Sequence, residues 1–289
     1  MNSTLVGRTE VVVLDDADAV AGAAAEYLVD RLNGAIAERG EAHLALTGGS
    51  SAIGLYRELA SRQRDAVDWS RVHLWWGDER FVPVDHPESN IGMAYALLLG
   101  ISGRAGQSGA GGQAADIAAG DAPGLPIHAE NVHPFQIDEA LSESDAAELV
   151  AERYTEEIEE RVPHDRASLP SFDVILLGVG PDGHIMSAFP GGAVLEPGAP
   201  LVLAVPAPQH IGPHLPRVTM NPRLLEFAGS VIVMVSGEGK AEAVRRALAG
   251  DEDPFDAPAR LAARPNASWF IDRAAAARLD LPSQATSRR

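Results

Sequence analysis

Short apolar runs alternate with longer stretches of helical periodicity along most of this 289-residue chain. The apolar runs predict strands at residues 11–14, 44–46, 72–76, 174–177, 201–205, 231–235 and 268–271. The periodic stretches between them predict helices at residues 17–38, 52–64, 89–99, 145–161, 241–249 and 274–279. Strands that alternate with helices at this spacing predict an α/β fold, with a mainly parallel sheet covered on both faces.

Two segments depart from this alternation. Residues 100–126 are rich in Gly, Ala, Ser and Gln and have no apolar periodicity, so we predict a flexible surface insertion there. Residues 282–289 are predicted to be a frayed tail. Because the strand and helix pattern continues across the insertion, we predict one domain over residues 1–289.

The overall charge limits the partners of this chain. The net charge of −18 argues against binding nucleic acid or an anionic membrane through the global field. A phosphate ligand would therefore need cations placed locally. The chain has no cysteine, which excludes disulfides, thiolate chemistry and cysteine-based zinc sites. Neither a signal peptide nor a membrane span is visible, so we expect a cytoplasmic protein.

The segment with the most chemical information follows the predicted strand at 174–177. Residues 178–184 read Gly-Val-Gly-Pro-Asp-Gly-His and place an acid, Asp182, two residues before an imidazole, His184. Ligands bind at the carboxyl ends of strands in open α/β sheets. Histidine can remove a proton from water at cellular pH, and a neighbouring carboxylate can fix its tautomer. The alternative is a structural histidine that donates to a backbone carbonyl.

The same turn matches the dinucleotide-binding fingerprint letter for letter. That fingerprint opens a sizeable helix and is followed by an acid about 20 residues later. Here Pro190 follows almost at once, which prevents such a helix. We therefore predict no nicotinamide or flavin and expect no cofactor.

Two other strand ends carry candidate anion-binding groups. Thr47, Gly48, Gly49 and Ser50 lie between a strand and a helix, where free amides and hydroxyls suit a phosphate. The alternative is an ordinary turn with a serine at the helix N-terminus.

Residues 77–80 (Gly-Asp-Glu-Arg) follow the next strand. Arg80 can hold a phosphate or carboxylate through two hydrogen bonds, and Asp78 can orient a hydroxyl or a base. The alternative is a solvated charged turn. Arg217 and Lys240 are further cations beside predicted element ends.

Several other chemistries are disfavoured. His210 and His214 are four residues apart, but Pro213 between them argues against a helical metal-binding pair, and we expect no metal. The chain has neither a Gly-x-Ser-x-Gly elbow nor a His-Glu-x-x-His motif. A serine-hydrolase or zinc-peptidase mechanism is therefore not expected.

Four segments, taken together, resemble one family. They are residues 46–50 (Leu-Thr-Gly-Gly-Ser), 76–83 (Trp-Gly-Asp-Glu-Arg-Phe-Val-Pro) with Ser89 and Asn90, 178–184 with 189–191 (Phe-Pro-Gly), and 216–219 (Pro-Arg-Val-Thr). The chain resembles the glucosamine-6-phosphate isomerase/6-phosphogluconolactonase family, and its lactonases in particular. The resemblance covers about residues 11–271, apart from the insertion.

The resemblance implies a three-layer α/β/α fold with a mainly parallel, Rossmann-like sheet, as in glucosamine-6-phosphate deaminases and ribose-5-phosphate isomerases. It also implies metal-independent hydrolysis of 6-phosphoglucono-δ-lactone to 6-phosphogluconate in the oxidative pentose phosphate pathway. By position, the implied catalytic residues are His184 as the general base, with Asp182, Asp78 and Arg80 lining the site. The implied phosphate-binding residues are Thr47, Gly48, Gly49, Ser50, Arg217 and Lys240.

One departure from the lactonase pattern concerns the pocket: Ile185 and Met186 follow the histidine, in place of the usual Thr/Val-Ala. Two alternatives stay open, an amino-sugar phosphate deaminase or isomerase and a non-catalytic sugar-phosphate sensor. The deaminases carry a further acid soon after the histidine, whereas the next acid here is Glu196. Related sensors carry an N-terminal DNA-binding segment, and here the first strand begins near Val11. The expected partner is a phosphorylated sugar lactone, with the chain a monomer or weak homo-oligomer.

Overall fold

A mainly parallel seven-stranded sheet lies at the centre of the part of the chain that the computed structural model describes, residues 3–101, 124–143, 146–165 and 169–281. Its strands are β1 (Thr4–Val6), β2 (Thr9–Leu14), β3 (Ala42–Leu46), β4 (Val72–Trp76), β6 (Val174–Leu177), β9 (Ser230–Val235) and β10 (Ala267–Asp272). Their order across the sheet is β1-β2-β10-β9-β6-β3-β4. All neighbours are parallel except β1 and β2.

Every residue of β3, β6, β9 and β10 is buried. Since successive side chains point to opposite faces of a sheet, both faces must be covered. The main helices are α1 (Ala17–Arg39), α2 (Ser50–Ser61), α3 (Asn90–Leu97), α5 (Ala146–Arg161) and α6 (Ala241–Ala249), with a short α4 (Ile137–Ala140). The predicted α/β fold is confirmed.

Local interactions define both ends of α1. The side chain of Asp16 accepts a hydrogen bond from the backbone N–H of Ala19 at 2.9 Å. Gly40 ends the helix in the left-handed conformation, with φ of 89°, and its N–H donates to the carbonyl of Ile36. These are the usual start and stop signals of a helix.

A second, three-stranded antiparallel sheet was not predicted as a separate unit. It contains β5 (Asp78–Arg80), β8 (Arg217–Met220) and β7 (Val202–Val205), in the order β5-β8-β7. Only β7 was expected as a strand, because all three residues of β5 are charged and β8 begins with a charged residue, Arg217. Their pairing places Arg80 opposite Arg217 and Asp78 opposite Thr219. Helix α5 packs against β7 and β8.

The helix predicted at residues 274–279 is wrong, because residues 273–278 form successive turns. Asp272 accepts from the N–H of Ala275 at 2.7 Å and also from the N–H of Gly237, so it joins this segment to the neighbouring strand end.

Residues 102–123 of the predicted insertion and the predicted tail at 282–289 lie outside the described residues. Near the end of the predicted insertion, Leu125 is buried, and its N–H donates to the carbonyl of Leu98 at 2.7 Å. Within the described ranges, the structure contains no helix with the length and apolar character needed to cross a membrane.

A cluster of stacked histidines occupies the amino ends of β3 and β4. His43 and His73 are register partners, and their rings stack with centroids 4.6 Å apart. Nδ1 of His73 lies 3.0 Å from Nε2 of His133, whose Nδ1 contacts Glu157 at 2.7 Å. Burial, reinforced by the charge of His73 and opposed by Glu41, lowers the pKa of His43 to about 4. The fold therefore keeps His43 neutral in mild acid.

We expect this cluster to make the protein sensitive to mild acid. Folded His43 stays neutral to about pH 4, whereas a histidine in the unfolded chain takes up a proton near pH 6.5. Protonation therefore favours the unfolded state in this range. The free energy of unfolding is unaffected by His43 above pH 6.5 and falls as the pH drops from 6.5 towards 4. The contribution of His43 to this loss at pH 4.5 is about 2–3 kcal/mol. Urea unfolding at pH 7 and pH 4.5 measures this loss in the free energy of unfolding. His43→Asn, whose amide oxygen can still accept from Trp75, is expected to lose less stability between the two pH values. Equal losses in the two proteins would contradict this assignment.

Candidate active site

Four strand ends bring the predicted site residues to one edge of the main sheet. Because β9, β6, β3 and β4 are adjacent and parallel, their carboxyl ends lie side by side. The chain leaves β3 towards β4 on one side and leaves β6 towards β9 on the other. Such a reversal of strand order opens a crevice in α/β sheets. The loops after β3 and β6 border this crevice.

The crevice contains a cavity of about 260 Å³. Nine of the ten residues predicted for the site line it, namely Thr47, Gly48, Gly49, Ser50, Asp78, Arg80, His184, Arg217 and Lys240. The tenth, Asp182, lies behind His184 and contacts its ring. Met186 also lines the cavity, whereas Ile185 is fully buried in the core. Of the two residues that depart from the lactonase pattern, only Met186 reaches the cavity.

The turn after β6 folds back on itself to present His184. The N–H of Gly180 donates to the carbonyl of His184 at 2.8 Å, and Gly183 adopts φ of 90°. A Cβ on Gly180 would overlap Nδ1 of His184 and Oδ1 of Asp182. Glycine at 180 is therefore needed for the close approach of the two functional side chains, and glycine at 183 for the left-handed turn.

Asp182 orients the imidazole of His184. Its Oδ1 lies 2.6 Å from Nδ1 of His184, and its Oδ2 lies 2.7 Å from Nε2 of His210. Burial would raise the pKa of Asp182, but hydrogen bonds from the two histidines outweigh it and hold that pKa below its usual range. Since an ionised carboxylate only accepts, the ring proton of His184 lies on Nδ1. Nε2 is then a free base, without a hydrogen-bond partner in the described ranges.

Asp78 is held in place by the loop after β6. Its Oδ2 accepts from the hydroxyl of Ser187 at 2.6 Å, and Nη1 of Arg217 lies 3.8 Å away. The N–H of Ser187 in turn donates to the hydroxyl of Thr219 at 3.2 Å. These contacts tie the small sheet to the turn after β6, so that both present their side chains to the same cavity.

Arg80 and Arg217 form a buried pair of cations on one face of the small sheet. Their side chains are only 9% and 3% exposed. Nη1 of Arg80 donates to the carbonyl of Glu88 at 2.6 Å, and Nη2 of Arg217 donates to the carbonyl of Pro213 at 3.3 Å. The Nε of each has no partner in the described part of the chain. Burial, opposed by Asp78 and reinforced by Arg80, lowers the pKa of Arg217. Both residues line the cavity, where their positive charge favours an anion.

The N-terminus of α2 adds backbone donors. Within the described part of the chain, the first turn of α2 has no side-chain cap hydrogen bond, because its N-cap is Gly49, with φ of 87°. A Cβ on the preceding Gly48 would overlap the amide of Asn90, so this loop packs directly on that side chain. Uncapped amides at a helix N-terminus suit an anionic ligand.

Lys240 closes the opposite wall, after β9. Burial lowers its pKa, and the nearby charge of Asp182 opposes the shift. The half-buried ammonium is therefore costly to hold without a counter-charge. It adds a third cation to a cavity in a strongly acidic protein.

Four contributors to the site were missed from sequence. Ser187 holds Asp78, Asn90 lines the cavity, and His210 holds Asp182. Glu79 is fully buried and accepts from Ser89, Asn90, Ile91 and the N–H of Arg80. Burial raises the pKa of the Glu79 carboxyl to about 7. The hydrogen bonds that it accepts from the N–H groups of Ile91, Asn90 and Arg80 oppose this shift. The alternation of side chains along a strand was the available signal for Glu79. It places the side chain of Glu79 on the face of the strand opposite to the one that carries Asp78 and Arg80.

One group of potential metal ligands lies away from the cavity, at the amino ends of β3 and β4. It consists of Glu41, His43 and His73, whose ligand atoms lie within 4.8 Å of one another. The indole N–H of Trp75 donates to Nδ1 of His43 at 3.2 Å, so the proton of this neutral ring lies on Nε2 and faces Glu41. That tautomer leaves no lone pair at Nε2 for a metal.

Comparisons with known proteins agree with this geometry. Residues 15–271 match the model of the family described as glucosamine-6-phosphate isomerases/6-phosphogluconolactonase. The chain belongs to this family. A 6-phosphogluconolactonase of Streptomyces coelicolor is 36% identical over 275 residues, which cover 93% of this chain and 94% of the relative.

Solved structures of the family share the fold. The 6-phosphogluconolactonase of Trypanosoma brucei superposes with a TM-score of 0.76 at 25% identity, over 95% of this chain and all of the other. A monomeric glucosamine-6-phosphate deaminase gives a TM-score of 0.70 at 20% identity, over 93% of this chain and 99% of the other. The fold type expected from the sequence is thus confirmed, including its likeness to the deaminases.

Proposed function

We propose that this chain is a 6-phosphogluconolactonase, which hydrolyses 6-phosphoglucono-δ-lactone to 6-phosphogluconate in the oxidative pentose phosphate pathway. The observation that carries the proposal is one shared cavity. The free Nε2 of His184 opens onto the same space as Arg80, Arg217, Lys240 and the start of α2. A base at one end and an anion-binding surface at the other fit a phosphorylated ester.

The phosphate is proposed to bind Arg217, Lys240 and the loop of Thr47, Gly48, Gly49 and Ser50. The guanidinium of Arg217 and the amides of α2 supply charge-assisted hydrogen bonds. This anchoring fixes the sugar and brings its carbonyl carbon, C1, towards His184. The net charge of −18 repels a phosphate at long range, and the cations in the cavity attract it locally.

His184 is proposed to be the general base. Its Nε2 removes a proton from a water molecule as the water oxygen attacks C1, while Asp182 stabilises the resulting imidazolium. The bond between C1 and the ring oxygen then breaks, and His184 returns the proton to that oxygen. Arg80, which lines the cavity, is proposed to stabilise the negative charge on the carbonyl oxygen, and Asp78 is proposed to orient the sugar. No metal is proposed in these steps.

The site supports the lactonase over the deaminase. The first acid after His184 is Glu196, which is exposed and borders a different cavity from the one lined by His184. The acid that deaminases carry near this histidine therefore has no counterpart beside it in the described structure.

An assay of two reactions tests the proposed function. The lactone is generated in place, and its opening is compared with the spontaneous rate in a blank. Ammonia release from glucosamine 6-phosphate is measured with the same protein. We expect lactone hydrolysis above the blank and no ammonia. Ammonia release without lactone hydrolysis would support a deaminase, and 6-phosphogluconate binding without either reaction would support a sensor.

The cellular setting is also a proposal. A cytoplasmic location fits the absence of cysteine and a water-soluble sugar phosphate as substrate. A single domain and a monomer or weak homo-oligomer remain predictions.

A further inference from the structure

Two histidines form hydrogen bonds with the carboxylate of Asp182, and one of the two belongs to the turn that follows β6. His184 contacts Oδ1 through Nδ1 at 2.6 Å and through its backbone N–H at 3.3 Å. His210 contacts Oδ2 through Nε2 at 2.7 Å. Since the carboxylate only accepts, His210 presents a proton on Nε2. A carboxylate held at both oxygens cannot rotate away from His184.

His210 belongs to a strap, residues 206–216, that joins β7 to β8 without regular structure. The ring of His210 is 52% exposed, so burial alone does not explain its position. The residues that follow it, Ile211, Gly212 and Pro213, line the cavity. The carbonyl of Pro213 accepts from Nη2 of Arg217 at 3.3 Å. The strap is thus fastened on one side of the cavity by Asp182 and on the other by Arg217.

A second path joins His210 to His184. The ring of His210 meets the ring of Phe189 edge-on, with centroids 5.8 Å apart and an interplanar angle of 88°. Phe189 also contacts the ring of His184 at 4.7 Å and lies 5.3 Å below the guanidinium carbon of Arg217. His210 therefore supports the imidazole of His184 from the carboxylate side and, through Phe189, from its face.

We propose that His210 is a positioning residue for the reaction. Its Nε2–H holds Oδ2 of Asp182 and thereby fixes Oδ1 against Nδ1 of His184, so that the lone pair of the neutral ring lies on Nε2 and is aimed into the cavity. The same hydrogen bond holds the strap as one wall of the cavity. This inference rests on the proposed function, because the reaction gives the position of His184 its importance.

Three variants test the proposal. His210→Ala removes the donor, and we expect kcat to fall about 10-fold with a smaller change in KM, because a hydrogen bond to a charged group is lost outside the reacting atoms. His210→Gln keeps an N–H near the position of Nε2, and we expect kcat within about 3-fold of the parent. His214→Ala is the matched control. This residue lies on the same strap, and among the described residues its ring has one hydrogen-bond partner, the carbonyl of Pro208, at 2.6 Å.

A spectroscopic measurement separates positioning from a packing role. In protein labelled on histidine nitrogen, the low-field Nδ1–H signal of His184 is identified by its loss in His184→Asn. We expect this signal to shift or broaden in His210→Ala and to return in His210→Gln. Parent-like kcat and signal in His210→Ala would overturn the proposal, as would a Gln variant as impaired as the Ala variant. If the parent protein does not hydrolyse the lactone, the proposed function fails, while the signal still tests the hydrogen-bonded arrangement.

Discussion

Replacement of His184 is expected to abolish most lactone hydrolysis. His184→Ala removes Nε2, the free base of the cavity, and general base catalysis of this kind contributes about 10²–10⁴-fold to a rate. We expect kcat to fall by that factor, with KM changed less than about 3-fold, because the groups proposed to bind phosphate remain in place. Initial rates across a range of lactone concentrations, corrected for spontaneous opening, measure both constants.

A second substitution at the same position makes the test specific to Nε2. His184→Asn keeps a donor at the position of Nδ1, so Asp182 and its contact with His210 are preserved. It should nonetheless be as inactive as the alanine variant. His128→Ala, at an exposed position, is the control and should retain parent activity. Parent-like kcat in the Asn variant would remove His184 from the chemistry.

Replacement of Arg217 is expected to weaken substrate binding. Its side chain is 3% exposed and it lines the cavity, so a bound phosphate would gain a charged donor that is largely shielded from water. Hydrogen bonds to charged groups are worth about 1.5–3 kcal/mol, which predicts a KM about 10- to 150-fold higher in Arg217→Gln, with a smaller loss of kcat. Inhibition by 6-phosphogluconate or inorganic phosphate should weaken in parallel.

Two controls accompany this variant. Arg217→Lys keeps the charge but loses the planar fork, so an intermediate KM is expected. Arg273→Gln removes an exposed arginine that pairs with Asp15, far along the chain from the small sheet, and should leave both constants unchanged. A loss confined to kcat in Arg217→Gln would move Arg217 from phosphate binding to the chemistry.

The main sheet was predictable because its strands are buried on both faces. Continuous apolar runs are rare outside such strands, and the predicted strands at 72–76 and 174–177 agree with β4 and β6 residue for residue. The helix predicted at 241–249 agrees with α6 in the same way. The small sheet was not predictable, because β5 has only three residues, and its pairing with a distant strand forms it.

The site was predictable to the extent that it follows strand ends. Thr47, Asp78 and His184 each come after a parallel strand, and parallel neighbours align their carboxyl ends. His210 was considered only as a metal ligand and rejected on account of Pro213. Its contact with Asp182 depends on the path of the strap, for which no local periodicity exists.

By itself, the sequence determined the α/β alternation, the glycine turn that carries Asp182 and His184, and the groups that meet at the sheet edge. These follow from local patterns: apolar continuity, turn chemistry and the direction of parallel strands. Only the tertiary structure decided that Arg80 stands opposite Arg217, that Ser187 holds Asp78, and that His210 holds Asp182. Each of these pairs joins residues far apart in the chain, and the register of packed elements, which no local pattern encodes, sets their distances.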